Sequence, residues 1–161
     1  MDAPVKKETM SDAEVEKYLA DIIGPMGHPD SLLIEHGAVR RMALAVDSTD
    51  PIHFDHDYAV SKGYRGIVAP WPIVWLLWTH CSDHHFHKAL PFGKATVHGQ
   101  DEYSFHEPII VGDTITVHTS MAETKLKQGK SGRLGQLVEE RRHVNQNGQL
   151  CVTLRTTLFR R

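Results

Sequence analysis

No stretch of this chain is apolar for long enough to span a membrane. The longest, IVAPWPIVWLLW from Ile67 to Trp78, is broken by Pro70 and Pro72 and falls short of the roughly 18 residues a spanning helix needs. It reads as a buried helix. Cysteine is scarce: Cys81 and Cys151 are the only two, far apart and without metal-type spacing. That excludes a disulfide-stapled fold or a zinc ribbon and fits a reducing, cytoplasmic setting. Neither sign of charge is in excess. A formal net charge of -2 gives no electrostatic footprint for phosphate backbones, so neither nucleic acid nor a membrane is an expected partner. The leading MDAPVKKETMSDAEVEKY has no apolar core of signal-peptide type.

What is present describes an ordinary globular chain. A length of 161 residues with 40% hydrophobic content fits one domain over 1–161 with a core of its own, residues 1–10 forming a flexible leader. Twelve histidines stand out, concentrated between His53 and His118. Groups that titrate near neutrality are therefore plentiful.

Ser11 and Glu14 form a capping box, and Val15, Leu19, Ile22 and Ile23 recur at near-helical spacing until Gly24 and Pro25. This predicts a first helix. GPMGHPDS reads as a loop. From Glu35 to Val46, Val39, Met42, Leu44 and Val46 alternate with Arg40, Arg41 and alanines, predicting a short helix that feeds VDSTDPIHFD. HDYAVSKG suggests another short helix closed by Gly63. Pro70 and Pro72 suit a helix start, and the apolar surface from Ile73 to Trp78 is nearly all round, as in a core helix. After residue 94 the pattern changes. ITVHTSM, GQLVEERRHV and LCVTLRTTLF alternate like long antiparallel strands, punctuated by EP, GD, KQGKSG and the hairpin signal Asn147-Gly148. Only one of Arg141 and Arg142 can face inward. The class is α+β, with an antiparallel sheet wrapped around the long buried helix.

Three motifs in order, TDPIHFD, GYRGIVAP and EPIIVGDT, resemble the MaoC-like hydratase/dehydratase family, in particular its single-hotdog branch related to the fatty-acid-synthase N-terminal dehydratase domain. The resemblance runs from about Glu35 to the C-terminus. It implies a hotdog fold, pairing with a second hotdog subunit as a homodimer or heterodimer, and no cofactor or metal. The implied substrate is a trans-2-enoyl thioester of CoA or acyl carrier protein, hydrated reversibly to an (R)-3-hydroxyacyl thioester.

That chemistry needs a base for water attacking C3, an acid for C2 and donors for the thioester oxygen. In the family motif D-x-N-P-x-H, an aspartate and a histidine hold the water. His53 matches the histidine and Pro51 the proline, while Asp50 stands at the asparagine and Ser48 at the aspartate. A serine is no general base at neutral pH. Asp50, or Asp47 beside the gap, is the candidate replacement, and Asp50 can also simply turn the chain ahead of Pro51. Asp55 reads as a helix cap. At the helix start, Trp71 falls where the family places its oxyanion donor and keeps its N–H between two prolines, and Ala69 is a further candidate substrate contact. Trp71 and Trp75 are candidates for the substrate wall. Lys130 and Arg133, in KLKQGKSGR, could grip carrier phosphates or belong to a solvated hairpin. His80 and His84 lie four apart beside Cys81, Asp83, His85 and His87, but no second ligand pair is evident, so a solvated helix terminus is the reading.

Three functions compete: an active hydratase or dehydratase, a non-catalytic hotdog subunit that shapes a partner's acyl tunnel, and a hotdog thioesterase or ligand-binding protein. Ser48 favours the second.

Overall fold

The computed structural model describes residues 10–80, 93, 95–129 and 132–161. The first nine residues of the expected leader, the side chains of the cluster from His80 to His87, and Lys130 lie outside the described residues. Helix α1 (Asp12–Asp21) begins at the reciprocal Ser11–Glu14 capping box and buries Val15 and Leu19. Strand β1 follows (Gly24–Leu33), then α2 (His36–Ala45), a 3-10 turn (Pro51–His53) and α3 (His56–Ser61). Helix α4 (Ile73–His80) precedes β2 (Thr96–Phe105), β3 (Thr114–Gly129), β4 (Gly132–Val144) and β5 (Leu150–Arg160). The five strands form one antiparallel sheet in the order β1-β3-β4-β5-β2.

The sheet curls around the apolar helix. Ile73, Val74 and Leu77 of α4 pack with Ile115, Val117 and Val152 of the sheet, and with Ile34 and Val39 from the β1–α2 region. At the other end, Val15 and Leu19 of α1 close over Met121, Leu137 and Leu158. Burying apolar surface at roughly 25 cal/mol per Å² is what holds both helices to the sheet. The expected hotdog architecture is present.

Three expectations change. GPMGHPDS is strand, not loop: Gly24, Pro25 and Met26 pair with Met121, Ser120 and Thr119, and the ladder resumes at Asp30 after a bulge. Prolines are tolerated here because β1 is an edge strand and Pro29 falls within the bulge. In α2 the buried side is Val39 with Ala43, whereas Leu44 and Val46 face out. Helix α4 is not buried all round, since Trp75 remains 42% exposed and Trp71, in the preceding turn, 57%. In a single chain the sheet covers only one side of it.

Strand β2, the other edge, bends at a bulge between His98 and Gln100. A Cβ on Gly99 would stand 2.7 Å from the Phe159 ring and 3.0 Å from the Thr157 carbonyl oxygen. The ring can swing, but the backbone carbonyl belongs to the paired strand. Gly99→Ala should therefore cost about 1–3 kcal/mol, read as a lower urea midpoint at unchanged m-value.

Candidate active site

The 3-10 turn is built by its own sequence. Asp50 Oδ1 accepts the Ile52 N–H at 3.0 Å, and Pro51 sits where a missing N–H costs nothing. One residue further, Asp55 Oδ1 caps α3 through the Tyr58 N–H at 3.0 Å, as its sequence position suggested. Between these caps His53 is half-buried and turned toward the segment that leads into α4. Its Nδ1 lies 2.7 Å from the Val68 carbonyl oxygen, while the Val68 N–H donates to Ile52 O at 3.0 Å.

A carbonyl oxygen only accepts, so Nδ1 carries a proton, and in the neutral imidazole Nε2 is the nitrogen with the lone pair. His53 is thereby held in the tautomer a general base requires. The segment to which it is anchored lines a cleft of about 370 Å³ together with Tyr64, Trp71, Phe105, His106 and Ile109. Val68 and Ala69 belong to that lining. The Trp71 N–H has no acceptor among the described residues, and the Ile73 N–H is taken by Pro70 O at 2.9 Å. Among the described residues, one backbone donor at the start of α4, that of a residue lining the cleft, is thus left free.

The acidic residues around His53 are placed less simply. Asp50 spends one carboxylate oxygen on the turn. Asp47 is exposed and adopts a left-handed backbone with φ 50°, a conformation aspartate tolerates better than most side chains. Ser48 Oγ accepts the Asp50 N–H at 3.4 Å. No carboxylate hydrogen-bonds either ring nitrogen of His53 among the described residues.

Trp71 lines the cleft and Trp75 a second cavity further along the helix. Arg133 lies at the opposite end of the β4–β5 ladder from the cleft. There it donates to the Met10 carbonyl oxygen at 2.5 Å and to Asp12 at 3.0 Å, tying down the start of α1.

One residue that braces the turns next to the cleft has no assigned role in the sequence. Asp113 is 2% exposed and follows Gly112, whose φ of 92° closes the turn before β3. Its Oδ2 accepts the Ile110 N–H at 2.9 Å and Arg65 Nη2 at 3.1 Å, and its Oδ1 accepts Gln146 Nε2 at 2.9 Å. Burial by itself would raise its pKa, but the hydrogen bonds from Arg65, Gln146 and Ile110 outweigh it and hold the carboxyl below its ordinary value. This carboxylate joins the GYRG loop, the EPIIVGD turn and the β4–β5 turn. The only sequence signal for it is the Gly-Asp turn inside EPIIVGDT.

A family model described as the FAS1-like dehydratase domain region matches residues 21–154. The chain belongs to that family. Among curated relatives of this dehydratase-region chain is a UPF0336 protein of Mycobacterium tuberculosis, 29% identical over 99 residues, or 60% of this chain and 63% of the relative. The match thus spans less than two thirds of that relative's length. Among solved structures, the C-terminally truncated 3R-hydroxyacyl-ACP dehydratase complex HadBC of Mycobacterium tuberculosis superposes with TM-score 0.69 at 24% identity, covering 85% of this chain and 96% of that one. The unliganded R-hydratase PhaJ1 of Pseudomonas aeruginosa gives TM-score 0.64 at 18% identity, covering 88% and 84%. Both likenesses place the FAS1-like dehydratase-region chain in the hotdog fold.

Proposed function

We propose that this FAS1-like dehydratase-region protein is an (R)-specific enoyl-thioester hydratase, acting in reverse as a 3-hydroxyacyl-thioester dehydratase, on CoA- or carrier-bound acyl chains. The observation that carries the reading is the His53 Nδ1 contact with Val68 O at 2.7 Å, which leaves Nε2 as the free ring nitrogen on a residue anchored to a segment that lines the cleft. In the hydration direction Nε2 removes a proton from the water whose oxygen bonds to C3. The C2–C3 π electrons move toward the thioester, and C2 then takes a proton from the protonated Nε2, which returns the imidazole to its neutral form. The Trp71 N–H serves the thioester oxygen while charge develops on it. Asp50 or Asp47 supplies the carboxylate that Ser48 does not.

A second hotdog subunit is proposed to complete the site. Trp71, Trp75, Val97 and Phe105 are exposed around α4 and β2, and among the described residues β2 pairs on one side only. An unprotected edge strand beside exposed aromatic rings is what a partner would cover.

Ser48 also favours the reading in which this chain shapes a catalytic partner's tunnel. One assay separates the two: the purified protein alone, given trans-2-enoyl-CoA substrates of increasing length. An active hydratase removes the conjugated-thioester absorbance and yields the (R)-alcohol without releasing thiol. Absence of turnover until a second hotdog subunit is added would assign the partner role, and free thiol would indicate hydrolysis instead.

A further inference from the structure

The inner face of the sheet carries a polar strip that the hydration chemistry does not use. Glu139 and Arg141 of β4 lie on the same side as the core residue Leu137, and Arg141 is 3% exposed. Arg141 Nη2 donates to Glu139 Oε2 at 2.6 Å. Its Nε and Nη1 have no acceptor among the described residues, and the Trp78 ring lies against the guanidinium at 5.7 Å. From β2, Asp101 brings a second carboxylate, 3.0 Å from His98 Nε2. These four polar residues, with Trp75 and Trp78, line a cavity of about 290 Å³. Tyr103, two residues along β2, meets Trp71 edge-on at 5.6 Å, and its buried hydroxyl also has no partner among the described residues.

Stability does not account for this strip. Withdrawing an ion pair from water costs more than a well-packed apolar pair of the same volume would, and unpaired buried donors add to the cost. The same strand accommodates Leu137 fully buried, so apolar residues are sterically acceptable on this face. The unsatisfied donors call for an acceptor oxygen supplied from outside the chain. Charge narrows its nature. Glu139 already pairs with the guanidinium and Asp101 faces His98, so each basic group has its own carboxylate and the leftover donors suit a neutral oxygen better than a further anion.

The position points to the acyl chain. Trp71, Trp75 and Trp78 succeed one another at helical spacing, the first lining the cleft and the other two the polar cavity. Along β5, Val152 serves the cleft while Leu154 and Leu158, on the same side, serve the polar cavity. We propose that the polar cavity is a distal subsite for acyl thioesters whose chain carries a neutral oxygen, a hydroxyl or keto group, remote from the thioester. This rests on the reading of the cleft as an acyl-thioester site. Arg141 is its binding residue and takes no part in the hydration step.

The test is equilibrium binding, without turnover, of saturated acyl-CoA thioesters of equal length. One chain is plain alkyl; others bear a hydroxyl, a keto group or a carboxylate at successive distal positions. The best hydroxyl or keto chain should bind about 10-fold or more tighter than the alkyl chain, as a hydrogen bond to a charged donor provides. In the double variant Glu139→Leu/Arg141→Met, which keeps the core filled, that preference should fall to about 1 while alkyl binding persists. Equal affinities in the wild type overturn the subsite whether or not the variant folds, as does a preference that survives the double substitution. A preference for the carboxylate overturns its neutral character. Binding of none of the chains overturns the acyl-thioester reading itself.

Discussion

His53→Ala should lower the hydration rate by about 10²–10⁴-fold, the range general acid–base groups supply, with little change in thermal stability. The imidazole is only half-buried, and its one side-chain hydrogen bond goes to the Val68 carbonyl oxygen, which solvent can satisfy once the ring is gone. Asp50→Asn is the informative companion. Asparagine caps helices and turns as well as aspartate does, so the bond to the Ile52 N–H survives and the 3-10 turn stays intact. Any loss of rate in Asp50→Asn then reports the carboxylate's charge rather than a misfolded loop. If both variants hydrate enoyl-CoA as fast as the wild type, the proposed site is wrong.

Asp113→Ala should destabilise the protein by about 2–4 kcal/mol, a fall in Tm of roughly 5–15 °C for a chain of this size. The buried carboxylate accepts hydrogen bonds from Arg65, Gln146 and the Ile110 N–H, and alanine leaves the last of these without an acceptor. The effect stays below that of a fully enclosed pair because the Arg65 side chain is half-exposed and can be resolvated. The pH dependence has a definite sign. Because the folded-state pKa is lowered, the unfolded chain binds more protons in the acid range. The contribution is therefore complete above the ordinary aspartate value of about 4 and is lost as pH falls through the lowered folded value. Wild type and Asp113→Ala should converge in stability at acid pH, a comparison that chemical denaturation at a series of pH values makes directly. A constant gap down to pH 2 would show that the carboxylate's charge is not what stabilises the turn.

The two residues differ in how far the sequence exposes them. His53 is legible because its motif is local: the aspartate cap, the proline and the histidine follow one another, and a tight turn is decided by its own few residues. The capping box of α1, the cap of α3 and the Asn147-Gly148 turn are legible for the same reason. Asp113 lies in a motif just as short, yet its partners Arg65 and Gln146 are 48 and 33 residues away. No local pattern announces contacts of that separation.

The amino-acid sequence by itself determined the α+β class, the order of the helices and of the long C-terminal strands, the apolar helix and the turn that carries His53, since these follow from periodicity, caps and turn chemistry within a few residues. Tertiary structure decided the rest. GPMGHPDS is a strand because an edge position beside β3 supplies partners and tolerates its prolines. Glu139 and Arg141 turn inward because β4 has one register against β3 and β5, and the period of two sends both to the core side despite their charge. The VDSTDPIHFD segment likewise shows which acids it contains, but where they point depends on hydrogen bonds. Asp50 is turned to Ile52, and which ring nitrogen of His53 is engaged is decided by the Val68 carbonyl fifteen residues downstream.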